Sequence, residues 1–308
     1  MRLLRGRHRR AKALIVFLLV AASFFVDVTA LRAALPTQPT LRLYPTTSAE
    51  ASAHSRLLIF QTGYQSNATA LTVNLLPYWR LFGDVLLVEY PHWRFDSARI
   101  VSDLNAYLEH SLSRRGPPRY TRLTLMGASL GGLLADDEIR GLNHLAGITR
   151  RDLVLVDAPT GGADIISGPQ RKAAHVPLGP VFGTVPFWPI NQLVFRPPPA
   201  LQLGPAASQV QLDALHRQAR LYQPSALADQ AGYIVHHAPL RPNPARNGVQ
   251  AIYLRSTHRD TVAATAYDHW RRIYPHLQLV PVTSGHIDLL GYPNAWMIAF
   301  TQALSQLG

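Results

Sequence analysis

Apolar residues along this chain fall into two textures. RLLIFQTG at 56–63, DVLLVEYP at 84–91, RLTLM at 122–126 and LVLVDAP at 153–159 are short, nearly uninterrupted apolar runs, three of them closed by glycine or proline. Runs of this kind predict strands covered by helices on both faces. The stretches between them change period. Ile100, Val101, Leu104, Leu108 and Leu112 recur at helical spacing, and Asp96 stands where it can cap that helix by accepting from first-turn amides. Thr69 to Phe82 predicts a short helix interrupted or ended near Pro77, and Gly116-Pro117-Pro118 breaks the chain before the next strand. The rhythm returns later with VQAIYLRS at 249–256, a helix within 262–274, LQLVPV at 277–282 and a terminal helix around 295–307. Trp296, Phe300, Ala303 and Leu307 line one side of that last helix. Strand and helix alternating at crossover spacing predict an α/β fold with a mostly parallel central sheet and helices on both faces.

Residues 160–246 break the alternation and hold 13 of the 24 prolines. They are read as a cap or lid inserted into the sheet domain, with LDALHRQARLYQ at 212–223 as its clearest helix. Within them Val181–Phe195 is strongly apolar, and Phe182, Phe187, Trp188 and Phe195 either line a lipophilic substrate site or fill a core. The sheet domain is thereby divided into 31–159 and 247–308, with one early strand around Leu41 and Leu43 inside a leader rich in Thr, Ala, Ser and Pro.

Composition narrows the function. Of 308 residues, 47% are apolar and 16% charged, which suits a well-filled globular core. There is no cysteine, so disulfides, thiolate metal sites and cysteine nucleophiles are excluded. The formal charge of +12 is uneven, because Arg2, Arg5, Arg7, Arg9, Arg10 and Lys12 supply half of it. The other arginines are dispersed and not interleaved with aromatics, which argues against a nucleic-acid partner. Behind the basic segment, ALIVFLLVAASFFV at 13–26 is an uncharged run of 14 residues, shorter than the roughly 20 that span a bilayer. Residues 1–30 are read as a signal peptide, with Val28 and Ala30 placed for cleavage after Ala30, or as a retained membrane anchor through residues 13–30. Either way the basic end stays in the cytoplasm and the domain faces outside it.

The segment that carries chemistry is LTLMGASLGGLLADDEI at 123–139. Gly127-Ala128-Ser129-Leu130-Gly131 fits a GxSxG elbow, in which a strand delivers a serine into a tight turn and a helix begins at once. The two glycines leave room where side chains would collide, and the Ser129 hydroxyl is expected to stand exposed at the helix N-terminus. A neutral serine is a weak nucleophile and needs a base, held in the right tautomer by an acid. His286 is the preferred base, since it follows the strand-ending LVPVTSG; His258 and the His236-His237 pair lack that setting. Asp260 is the preferred acid, after the strand of AIYLRSTHRDTVAATAY and before its helix. Asp157, directly after LVLV, is the alternative, while Asp268 lies too far into a helix and Asp288 too close to the base. Oxyanion stabilisation needs donors already in place. The backbone amides of Leu130 and Tyr64 are the candidates, with Gly63 letting the FQTGY loop approach closely.

With FQTG at 60–63, GASLGG at 127–132, HRDTV at 258–262 and SGH at 284–286, the chain resembles the α/β-hydrolase superfamily over roughly residues 40–308. Many members have His-Gly where this chain has Thr62-Gly63, so a backbone role carries over there and a side-chain role does not. The resemblance implies catalysis by Ser129, Asp260 and His286, with oxyanion support from Leu130 and Tyr64 and no metal or dissociable cofactor. The expected activity is cleavage of a carboxylic ester, lipid-like if the apolar lid lines the site, through an acyl-enzyme. Thioesterase, amidase or peptidase, and acyltransferase activities use the same core chemistry. The alternative from another class is a non-catalytic binding protein of the cell envelope.

Overall fold

The computed structural model describes residues 2–64, 66–112, 119–142, 145, 147–166, 222, 224–241, 243–257, 261–286, 289 and 292–308. In chain order the first elements are α1 (Arg2–Ala34), β1 (Thr40–Tyr44), α2 (Ala51–His54), β2 (Arg56–Gln61), α3 (Ala68–Thr72), α4 (Leu76–Trp79), β3 (Asp84–Glu89) and α5 (Ser97–Leu112). There follow β4 (Arg122–Ala128), α6 (Leu130–Gly141), β5 (Arg150–Val156), α7 (Pro224–Val235), β6 (Gln250–Ser256), α8 (Thr265–Ile273), β7 (Gln278–Val282) and α9 (Pro293–Gln306).

The strands form one sheet of seven, ordered β1-β3-β2-β4-β5-β6-β7. Only β1 runs antiparallel, against β3; the other pairs are parallel. Alternation along each strand explains why the runs are continuous in sequence. Leu57 and Ile59 of β2, and Leu153 and Leu155 of β5, join a core with α5, α6 and α8. Leu58 and Phe60, and Val154 and Val156, point the other way into a core with α3, α4 and α9. Most positions of the central strands are therefore apolar, each buried Leu, Val or Phe contributing about 1.5–3 kcal/mol, with Thr124 of β4 a buried polar exception. Proline is found at the edge, Pro281 on β7, where no further strand asks for its missing donor.

Several local expectations hold. Asp96 caps α5, its Oδ1 accepting from Arg99 N at 3.0 Å, and Ile100, Leu104 and Leu108 are buried. Trp296, Phe300, Ala303 and Leu307 are buried along α9. The Thr69–Phe82 helix is instead two short ones, and Pro77 sits in the first turn of α4. Proline is accommodated there because a first-turn N–H has no intrahelical acceptor to lose. In the segment 160–246, residues 167–221 and 223, and with them most of the expected helix at 212–223, lie outside the described residues. Sequence reading did not find α7 (Pro224–Val235). The chain after β5 is fastened to the chain beyond β6: Ile166 N donates to Thr261 O at 2.8 Å and Ala263 N to Asp164 O at 2.7 Å.

The N-terminal helix is longer than the 14-residue run. Leu14–Ala34 is a 21-residue segment long and apolar enough to cross a membrane, about 30 Å at 1.5 Å per residue. Leu14, Phe17, Leu19 and Val26 are exposed. Near its end Arg32 pairs with Asp229 of α7.

Candidate active site

The sheet itself points to one place. The chain runs from β2 outward to β3 and then crosses back to lay β4 on the other side of β2. Such a reversal opens a crevice beyond the carboxyl ends of the two strands, where open α/β sheets bind ligands. The loop after β2 is the FQTGY segment, and the turn after β4 holds Ser129.

Ser129 has φ 51° and ψ −118°, directly between β4 and α6. Among the described residues, only Ser129 and Asp157 (φ 43°) take positive φ without being glycine. Non-glycine residues held this way cost on the order of 1–3 kcal/mol and concentrate at functional sites. The two are neighbours by register: Ala128 is opposite Val156, so each strained residue follows directly on a paired position. Ser129 N donates to Val156 O at 2.8 Å and Asp157 N to Leu254 O at 2.9 Å, fixing both turns to the next strand.

The glycines around Ser129 are there for contact, not for their φ. A Cβ on Gly127 would meet Gly131 O at 2.2 Å, because the strand end and the helix start press backbone on backbone. A Cβ on Gly131 would meet Gln61 O at 2.4 Å and Thr62 O at 2.6 Å, and one on Gly132 would meet Ala158 Cβ at 2.3 Å. The elbow is thus packed against the loop after β2 on one side and the loop after β5 on the other. This tight seat corrects one expectation. Ser129 is 3% exposed, so the residue does not stand out into solvent. Its side chain makes no capping bond to α6, so the hydroxyl is not committed to the helix.

His286 lies four residues past the end of β7, on a turn where Ser284 N donates to Val282 O at 2.8 Å. Its Nδ1 is 3.6 Å from Asp157 Oδ2, both side chains being largely buried. Asp157 Oδ1 accepts from Ser256 N at 2.9 Å, which orients the carboxylate. Its Oδ2 has no hydrogen-bond partner among the described residues. With Nδ1 turned toward the acid, Nε2 is the nitrogen left to receive a proton. A separation somewhat beyond hydrogen-bond length is common before a substrate tightens such a site. The structure thus brings His286 to the alternative acid, Asp157. Asp260, the first choice from sequence, lies outside the described residues, as do His258 and Asp288. His237 is taken up elsewhere, 3.5 Å from Asp137.

The segments that carry the two oxyanion candidates lie against each other. Leu130 is the first residue of α6, where the opening amides have no intrahelical acceptor. The contacts at Gly131 bring the Gln61–Thr62 backbone, two residues before Tyr64, against that same first turn. Tyr90 Oη donates to Thr62 O at 2.8 Å and steadies the loop from β3. Burial holds the Tyr64 phenol well above its ordinary pKa, so it stays neutral. No group of three or more His, Asp or Glu side chains able to hold a metal occurs among the described residues.

One buried acid close to the elbow was not singled out from the sequence. Glu138 on α6 is fully buried and is bonded by the Gln61 amide. It sits in LADDEIR, within the helix expected after Ser129, and no pattern signals its partner 77 residues away.

No protein-family model and no curated protein sequence matches the chain. Solved structures do. A hydrolase from Oleispira antarctica covers 89% of this chain and 97% of its own at 10% identity and a TM-score of 0.59. The enol-lactonase from Burkholderia xenovorans covers 87% and 97% at 13% identity and a TM-score of 0.55. A hydrolase from Pseudomonas aeruginosa covers 86% and 94% at 16% identity and a TM-score of 0.54. Sheet order, elbow and these likenesses agree, and the chain has the α/β-hydrolase fold.

Proposed function

We propose that this protein is a serine hydrolase that cleaves a carboxylic ester through an acyl-enzyme. The observation that carries the reading is the pair of strained strand ends: Ser129 at φ 51° beside Asp157 at φ 43°, with the Asp157 carboxylate 3.6 Å from His286. In the mechanism His286 Nε2 takes the Ser129 proton as the oxygen attacks the ester carbonyl. Asp157 faces the opposite ring nitrogen and stabilises the imidazolium that forms. The amides of Leu130 and Tyr64 receive the oxyanion. The tetrahedral adduct collapses as His286 returns the proton to the leaving alcohol. Water activated by the same imidazole then releases the acid and frees the serine. Asp157 is taken as the acid because its carboxylate faces His286 Nδ1 at 3.6 Å, whereas Asp260 lies outside the described residues.

The residue types suit esters, thioesters and amides alike, and acyl transfer to an alcohol needs only exclusion of water. The ester reading is favoured by likeness to solved hydrolases, among them an enol-lactonase. A lipid-like acyl group is favoured by the aromatic residues of 181–195, in the segment 160–246 taken here as a cap, and by the exposed apolar helix Leu14–Ala34. That helix supports export or anchoring at a membrane, with the sheet domain outside the cytoplasm. Fractionation of cells is expected to find the chain there; an intact soluble cytoplasmic product contradicts it. Substrate class is tested by turnover of esters of several chain lengths beside matched thioesters and amides, in wild type and His286→Ala. The reading requires ester turnover that collapses in the variant. A folded protein that turns over none of the three supports the envelope binding alternative.

A further inference from the structure

Gln61, the last residue of β2, and Glu138, two turns into α6, are both fully buried and joined by a hydrogen bond from Gln61 Nε2 to Glu138 Oε2. The other oxygen of each group, Gln61 Oε1 and Glu138 Oε1, is buried with no hydrogen-bond partner among the described residues. Two unpaired acceptors on two joined groups are costly as they stand, since each has given up water for nothing. A single proton on Glu138 Oε1 removes both defects. It turns one acceptor into a donor, and a planar amide already holding one carboxyl oxygen places its own oxygen beside the other. The result is a closed acid–amide pair with two hydrogen bonds.

We propose that Glu138 is held as a neutral acid and, through Gln61, positions the loop that carries the Tyr64 amide against the elbow. The inference rests on the hydrolase reading above. Helix α6 then holds both halves of the oxyanion site: Leu130 at its first residue, and Glu138 clamping the strand end that leads to Tyr64. Backbone contacts continue the clamp, with Gly131 against Gln61 O and Thr62 O and the Tyr90 hydroxyl on Thr62 O. The surroundings suit a neutral acid. Burial pushes the Glu138 pKa well above the ordinary carboxyl range, and the Gln61 bond only partly opposes it. The ionisable groups facing it from other elements are phenols, Tyr90 after β3 and Tyr233 on α7. Of the cations that pack against α6, Arg246 from the turn before β6 is taken by Asp136, and Arg151 of β5 donates to Ile139 O at 3.4 Å. Glu138 touches no reacting atom in this scheme and is a positioning residue.

The test uses full-length protein in detergent. At neutral pH the infrared difference between wild type and Glu138→Gln is expected to contain the C=O stretch of a protonated carboxylic acid, and absence of that band overturns the proposal. Fluorophosphonate labelling of Ser129 reports the loop, because the phosphonyl oxygen occupies the oxyanion site. Glu138→Leu is expected to slow labelling at least about tenfold, whereas Glu138→Gln, which can rebuild the pair with two amides, restores most of the rate. The wild-type rate is expected to fall on the alkaline side as Glu138 ionises, and that limb disappears in Glu138→Gln. A Glu138→Gln variant as slow as Glu138→Leu, or an alkaline limb unchanged by the substitution, overturns the proposal. If Glu138→Leu does not fold, the infrared band and the Glu138→Gln pH profile decide alone. Wild-type protein that does not label at all overturns the hydrolase reading instead, a failure the infrared band does not share.

Discussion

Asp157→Asn separates the two candidate acids and has a magnitude that follows from geometry. The carboxylate is 3.6 Å from His286 Nδ1. As Ser129 gives up its proton, the ring becomes an imidazolium facing that charge. At an effective dielectric of about 20, opposite unit charges at this distance attract by about 5 kcal/mol. Asparagine removes the charge and also offers Nδ1 a choice of oxygen or NH₂, so the ring is no longer held in one tautomer. Some of the loss is recovered by the amide dipole and by relaxation. The expected fall in kcat is about 10³-fold, at about 1.4 kcal/mol per decade, with KM changed little because the charge appears only in the transition state. The fold should survive. Asn keeps the oxygen that accepts from Ser256 N at 2.9 Å, and it tolerates the φ of 43° better than most residues. The assay is hydrolysis of a chromogenic ester by wild type, Asp157→Asn and Asp260→Asn, with circular dichroism to check folding. A folded Asp157→Asn variant within about threefold of wild type, or a loss confined to Asp260→Asn, refutes the reasoning.

Three further outcomes follow from packing and burial. Gly131→Ala drives a methyl into Gln61 O and Thr62 O, 2.4 and 2.6 Å from the new Cβ; urea unfolding should show a loss of about 1–3 kcal/mol, and a loss of labelling beyond what stability accounts for. Arg246→Met removes from the fully buried Asp136 the cation whose Nε it meets at 2.8 Å, leaving it the Tyr274 hydroxyl at 2.6 Å and Arg140 at 3.7 Å. Chemical denaturation should register about 3–5 kcal/mol of destabilisation, and a change under 1 kcal/mol would mean the ion pair holds nothing. Glu138 gives a pH slope of known sign. Its folded pKa is raised above the ordinary 4.5, so the folded state holds a proton that the unfolded chain releases. Stability is then full below about pH 4.5 and declines as pH rises toward the folded pKa, by up to about 1.4 kcal/mol per unit. Glu138→Gln should remove this decline, so the variant gains on wild type as pH rises; parallel stability curves would contradict it.

How much of this could be read from the sequence depended on how far each partner lies along the chain. Strands such as LLIF and LVLV were legible because burial on both faces forces unbroken apolar runs. The elbow was legible because Gly127, Ser129 and Gly131 answer a constraint confined to five residues. The sheet order was legible only as a class, since nothing in β3 says that β4 returns to the far side of β2. The two acids show the same limit: Asp157 and Asp260 each follow a strand-like run in the sequence, which does not say that His286 Nδ1 comes to 3.6 Å from Asp157. The burial of Asp136 and Glu138 was not legible, because Arg246 and Gln61, which make it tolerable, come from distant segments. Ser129 was expected in the open, since a motif announces a turn but not the loops packed around it.

The most direct measurement is the site of covalent modification. Full-length protein treated with a fluorophosphonate and digested for peptide mass spectrometry should carry one adduct, on Ser129, and a folded Ser129→Ala variant should carry none. An unmodified wild-type protein, or a variant labelled as fast as wild type, would contradict the account.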